Sequence, residues 1–153
     1  MAAPRPGQLQ VLGDQECVKL LKSHDLGRIA LVDRDMRPLI FPINYFFDEG
    51  IVLFRTAPGA KLDLAPGAQV CFEIDGWNQR SGIGWSVQVK GIAHDITEPR
   101  GMPTARMHNW PVRPMAPGSR QHWIGIWADE ITGRRFRSDV QRSTSSGGSP
   151  DGS

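Results

Sequence analysis

Cysteine is scarce in this 153-residue chain, and what little there is carries no pattern. Cys17 and Cys71 are the two present, with no CxxC pair and no metal-ligand spacing, so both are read as buried thiols. The four histidines, His24, His94, His108 and His122, are scattered. None forms HExxH or pairs with a cysteine at zinc spacing, so no structural metal is expected. No apolar stretch approaches the ~20 residues of a membrane span, and the N-terminal MAAPRPGQLQ lacks the hydrophobic region of a secretory signal. A cytoplasmic protein without a membrane partner is the expectation. The net charge is only +2, too small to imply nucleic-acid binding. The GxxxxGK[ST] spacing is missing, which removes nucleoside triphosphate hydrolysis, and no nucleophile, base and orienter set is visible.

What is present is the composition of one globular domain, 39% hydrophobic and 22% charged. Helical periodicity is rare, while short apolar runs separated by Gly and Pro are common. That pattern favours a mainly β (α+β) barrel. Residues 1–10, with two prolines and no periodicity, are expected to form a flexible arm, residues 11–137 the domain, and residues 138–153 a disordered Gly/Ser-rich tail.

The most informative stretch runs from Pro38 to Leu64. Leu39, Ile40, Phe41, Ile43, Tyr45, Phe46 and Phe47 read as one strand, Asp48-Glu49-Gly50 as a hairpin turn, and Ile51 to Phe54 as the return strand. Beyond it, Arg55, Thr56, Gly59 and Lys61 gather within seven positions. A planar fork of donors, a hydroxyl, an unobstructed backbone and a mobile cation together suit a phosphate monoester, although a solvated loop with two surface cations carries the same residues. A brief helix is expected to start near Gly59 and end at Ala65-Pro66-Gly67, its first amides beside the anion.

Elsewhere, Leu12, Cys17, Leu20, Leu21 and His24 follow helical spacing, with Gly13 or Asp14 at the cap. Gly27 to Val32 is a strand, with Arg28 a charge near its edge. Gln69 to Asp75 alternates as a half-buried strand, and its Glu73 and Asp75 share a face. Trp77 to Ile83 is a polar connection. Gly84 to Thr97 is the longest strand, in which Gly91 marks a bulge or bend. Trp85-Ser86 either walls a planar ring or fills core. His122 to Trp127 reads as the final strand, with Glu130 to Phe136 turning back. From Arg100 to Arg142 the eight basic residues are all arginine, a cation suited to bidentate anion binding or to an ordinary soluble surface.

The order GRIALV, PINYFF, FRTAPGAKL, VCFEID, GWSVQVKG and ITGRRF resembles the pyridoxamine 5'-phosphate oxidase-like family of flavin-binding proteins, particularly its small actinobacterial members. The resemblance spans about residues 9 to 137. It implies a split β-barrel of six or so antiparallel strands with a few short helices. It further implies a homodimer with a flavin, usually FMN, at each of two interface sites, and oxidoreductase chemistry by two-electron transfer to a small organic substrate. By this resemblance Arg55, Thr56 and Lys61 hold the flavin phosphate. Asn44 and Tyr45 lie along the isoalloxazine, partly through backbone groups, Trp85 and Ser86 match the strand whose polar side chain touches the ring, and Trp123 and Arg134 reach the other subunit's flavin. The alternatives are a deazaflavin-dependent reductase and a non-catalytic protein that carries flavin or haem, for the last of which His94, His108 and His122 are the candidate axial ligands. The chain departs from the family pattern at Met115, where a tryptophan is expected, at Gly13 in place of a capping serine, and at Gly101 and Pro103 within a segment that is normally helical. The Trp110–Gly118 segment therefore implies no particular substrate.

Overall fold

The computed structural model describes residues 2–96 and 122–139. The expectations for residues 97–121, the Trp110–Gly118 segment and His108 among them, and for the tail from residue 140 onward lie outside the described residues. Eight strands and two helices follow one another as β1 (Leu9–Leu12), α1 (Asp14–Ser23), β2 (Leu26–Val32), β3 (Pro38–Asn44), β4 (Phe46–Asp48), β5 (Ile51–Thr56), α2 (Ala60–Leu64), β6 (Gln69–Asn78), β7 (Ile83–Asp95) and β8 (His122–Arg137).

All strands are antiparallel in one sheet of order β3-β2-β6-β7-β8-β5-β4, with β1 added beside β8. The two ends of that order, β3 and β4, are separated in the chain by Tyr45 alone. A sheet whose edge strands are joined by one residue has to curl until those edges meet, which makes the half-closed barrel. Tyr45 secures the junction. Its amide donates to the Asp25 carbonyl at 2.9 Å and its hydroxyl donates to the Leu21 carbonyl at 2.7 Å, while its ring meets Phe72 edge-on.

Alternation along each strand gives the sheet an inner and an outer face. Ile29, Leu31, Ile43, Phe47, Val52, Phe54, Phe72, Ile74, Val87, Val89, Ile124 and Ile126 fill the inner face, and Cys17 and Leu21 of α1 close one end. Among the described residues nine large apolar side chains are exposed: Leu9, Val11, Leu26, Val32, Met36, Ile40, Phe46, Trp77 and Phe136. Met36 sits in a turn; the other eight all project from the outer face by their register with buried neighbours.

β8 is the spine. It pairs with β7 along almost its whole length, with β5 on its first half and with β1 on its second. The register shifts between Lys90 and Gly91, which places the bulge where Gly91 was expected to mark one. A β-carbon at Gly91 would run into the Trp127 carbonyl, so only glycine lets the strands approach there.

Four expectations are corrected. The single strand from Leu39 to Phe47 is two, because Tyr45 transfers the chain from β2 to β5 as partner. The segment Glu130 to Phe136 continues β8 instead of turning back. Residues 1–10 do not form a loose arm throughout: Leu9–Leu12 pairs with Phe136–Gly133, Gly7 donates to the Arg137 carbonyl and Pro4 is fully buried. Cys71 is half-buried where full burial was expected, since it lies on the outer face. No helix among the described residues is long and apolar enough to cross a membrane.

Candidate functional site

β5 delivers Arg55 and Thr56 to opposite faces. Thr56 points inward, is 4% exposed, and its hydroxyl donates to the Ala57 carbonyl at 3.0 Å; the side chain expected to touch a phosphate is engaged by its own backbone. Arg55 points outward, opposite Trp123 on β8. Its guanidinium carbon lies 4.2 Å from the centre of the indole. Its Nε is buried without a hydrogen-bond partner. A buried donor left unpaired costs about 1–3 kcal/mol, more when charged.

The loop beyond β5 turns through Gly59, whose φ of 151° suits glycine, and opens α2 as expected. Lys61 lies in that helix with its Nζ 4.9 Å from the centre of the Phe41 ring. Phe41 belongs to β3, the strand that approaches β5 where the sheet closes. Lys61 thus rests on an aromatic face at the rim of the closure, its ammonium resting on a ring. Asn44 ends β3 on the outer face, by alternation with buried Ile43.

The remaining predicted residues divide between the faces. Tyr45 is 1% exposed and committed to Leu21. Burial foremost, and the Asp25 charge second, push its hydroxyl well above the ordinary tyrosine range. Its side chain is thus committed to the fold, and a ring on the outer face would meet Tyr45 through its backbone alone. Trp85 also faces inward. It covers Gly76, where a β-carbon would strike its indole, and meets the His24 ring at 4.9 Å. Ser86, one residue on, faces outward between Asp75 and Arg134 in the register. Of the Trp85-Ser86 pair, therefore, only Ser86 is on the face that carries Arg55. Arg134 is exposed on the same face. Trp123 and Arg134 lie on opposite halves of one extended strand, eleven residues apart, and the structure does not bring them together.

Arg28 was missed as part of an organised cluster. It bonds Glu73 through Nε at 2.9 Å and Asp75 through Nη2 at 2.8 Å. Burial works against its charge, but the bonds and charges of Glu73 and Asp75 outweigh it and hold the guanidinium more firmly protonated than usual. Glu73 and Asp75 are thereby an ion-pair platform rather than a free acid and base. Registering Arg28 opposite Glu73 requires the β2–β6 pairing, a signal absent from either strand alone.

Both thiols hold their protons more tightly than a free cysteine. Burial first, then Asp14 and Glu16, raise the Cys17 pKa, and burial raises that of Cys71 despite Lys90. Among the described residues no group of histidine, cysteine and carboxylate side chains is arranged to hold a metal. His94 stands edge-on to Trp127, and His122 faces Asp95 at 3.5 Å.

Comparison with known proteins places this geometry. A family model described as pyridoxamine 5'-phosphate oxidase matches residues 13–135. The structure of the FAD binding protein from Mycobacterium smegmatis superposes with a TM-score of 0.68 at 39% identity, covering 83% of this chain and 97% of that one. Protein Rv0080 of Mycobacterium tuberculosis is 33% identical over 107 residues, 65% of this chain and 70% of that protein. The structure of the FAD and heme binding protein from M. smegmatis shares the fold, with a TM-score of 0.61 at 17% identity over 90% of this chain and 79% of that one. A match that runs from the residue before α1 to Arg135 near the end of β8 takes in both the curled sheet and the Arg55 face, and the chain belongs to the pyridoxamine 5'-phosphate oxidase-like family.

Proposed function

We propose that this protein binds a flavin nucleotide on the outer face of its sheet, with Arg55 on the phosphate ester, and uses it as an oxidoreductase. The observation that carries this reading is the Arg55 guanidinium, laid on Trp123 with its Nε buried and unpartnered. The donor set fits the group: a forked cation, an ammonium on the neighbouring rim and a glycine turn are a phosphate-ester site. The FAD-binding relative from M. smegmatis supports the same class of ligand. Thr56 has no part in it as oriented, and Ser86 is the outward hydroxyl available to a ring edge.

FMN is the occupant proposed, and FAD, whose ribityl 5'-phosphate is joined to AMP in a pyrophosphate, is the competing one. A bound flavin supplies the two-electron chemistry itself. The chain's part is to grip the phosphate, orient the ring and shield it from water, in keeping with the lack of a catalytic triad among the described residues. A small organic acceptor is the proposed substrate.

The second copy of the chain is part of the proposal. Eight exposed apolar side chains on one face exceed the scattered exposure of an ordinary monomer, and a second outer face is the natural cover. A homodimer would also let the Arg134 end of one β8 serve the site of its partner, which one chain cannot arrange for itself.

The test is the absorbance spectrum of the purified protein, followed by chromatography of what heat releases. FMN or FAD in the supernatant, bleached anaerobically by a reduced nicotinamide while bound, is the expected result. A colourless protein that takes up neither FMN nor FAD contradicts the reading. Uptake of a deazaflavin alone, or a Soret band, would replace it with one of the alternatives.

A further inference from the structure

The cations of this sheet are held in two different ways. Arg28 is held by Glu73 and Asp75, Lys90 by Glu130, and Arg135 by Glu16. Arg55 has no carboxylate partner among the described residues and is held instead by the face of Trp123. We infer that Trp123 is a positioning residue for Arg55: it fixes the guanidinium for a phosphate ester without neutralising it. This inference rests on the phosphate reading given above and adds to it the residue that makes Arg55 effective.

The argument is geometric. Arg55 and Trp123 are direct cross-strand partners on β5 and β8, a spacing at which side chains on one face touch. The guanidinium carbon lies over the indole ring, and an aromatic face holds a cation without setting an oxygen acceptor against its N–H donors. A carboxylate in the same place would take those donors and cancel the charge that draws an anion. The indole itself is anchored in a small apolar cluster with Leu53 and Ile96. An arginine so held has lost its rotamer freedom before the ligand arrives, and that preorganisation is what raises affinity. Trp123 then contributes to binding through its own chain's arginine, with no need to reach a flavin itself.

The test compares FMN with riboflavin, which lacks only the phosphate, in the intact protein. The ratio of their dissociation constants isolates the phosphate contact, and melting temperatures are recorded alongside. Arg55→Ala should collapse the ratio. Trp123→Leu should lower it by roughly two- to thirty-fold, the range of a cation–π contact, with riboflavin affinity unchanged. Trp123→Phe, which keeps an aromatic face, should recover most of the loss. A tryptophan that merely fills the cluster would lower the melting temperature, or weaken both ligands equally, and leave the ratio alone. A normal ratio in Trp123→Leu beside a collapsed one in Arg55→Ala would overturn the positioning role and spare the phosphate site. A normal ratio in Arg55→Ala would remove the phosphate site and this inference with it.

Discussion

The two faces of the curled sheet are made by alternate residues of the same strands, yet they do different work. The inner face is complete: its side chains are buried, its one phenol is bonded, and α1 closes its end. The outer face is unfinished. It carries eight exposed apolar side chains, an arginine stacked on an indole with an unpaired donor, and an ion-pair cluster around Arg28. One face holds the fold by itself, and the other is the face on which we propose that a flavin and a second copy bind. The difference shows why a functional residue in a β protein is found by asking which face it occupies, not how polar it is: Thr56 and Arg55 are neighbours in sequence and only Arg55 is on offer.

The comparison can be broken by substitutions on each face. The largest effect belongs inside. Phe72→Ala removes a fully buried ring in contact with Tyr45 and should cost about 3–5 kcal/mol of unfolding free energy in a denaturant titration. On the outer face, Arg55→Ala should weaken FMN binding by about 1–3 kcal/mol, while the unfolding midpoint without ligand stays close to wild type.

Tyr45→Phe tests the seam between β3 and β4. It leaves the Leu21 carbonyl without its donor and should cost roughly 1–2 kcal/mol. The same variant isolates a pH effect. Because the native hydroxyl pKa is raised by burial, the folded chain holds that proton more tightly than the unfolded one. The stabilisation is therefore whole below about pH 10 and falls as pH rises from there toward the native pKa, at no more than ~1.4 kcal/mol per unit. Denaturation curves taken between pH 9 and pH 11 should show this decline in the wild type and less of it in Tyr45→Phe.

The smallest effect on folding should come from Val11→Lys. Val11 is 78% exposed on the outer face, so the change should move stability by no more than about 0.5 kcal/mol. Sedimentation should nevertheless shift from dimer toward monomer. A dimer unmoved by a charge there would place the partner elsewhere.

Local signals in the sequence were read where local physics decides. The hairpin turn at Glu49 and Gly50, both with positive φ, the start of α2 at Gly59 and the bulge at Gly91 all follow from turn and glycine chemistry. What escaped was decided by residues far apart. Ile43, Tyr45 and Phe47 keep an unbroken alternation of buried positions, so nothing nearby announces that the strand changes partners at Tyr45. Gly133 resembles a turn residue, but it lies within β8 because Leu12 and Cys17 crowd it. Leu9–Leu12 is a strand only because the second half of β8 leaves an edge open for it. At the site, Arg55, Thr56 and Lys61 were legible only as residues of the right chemistry for a phosphate. Which member faced outward, and that Trp123 lay beneath Arg55, required the register of β5 on β8.

The most direct measurement of the central claim is a flavin titration of the wild type and Arg55→Ala side by side, with thermal melts of both free proteins. The account predicts matching melts and an affinity for FMN about five- to 150-fold weaker in the variant, the equivalent of the 1–3 kcal/mol assigned to the charged contact. Equal affinities in two equally stable proteins would contradict it, and the outer face would need another ligand.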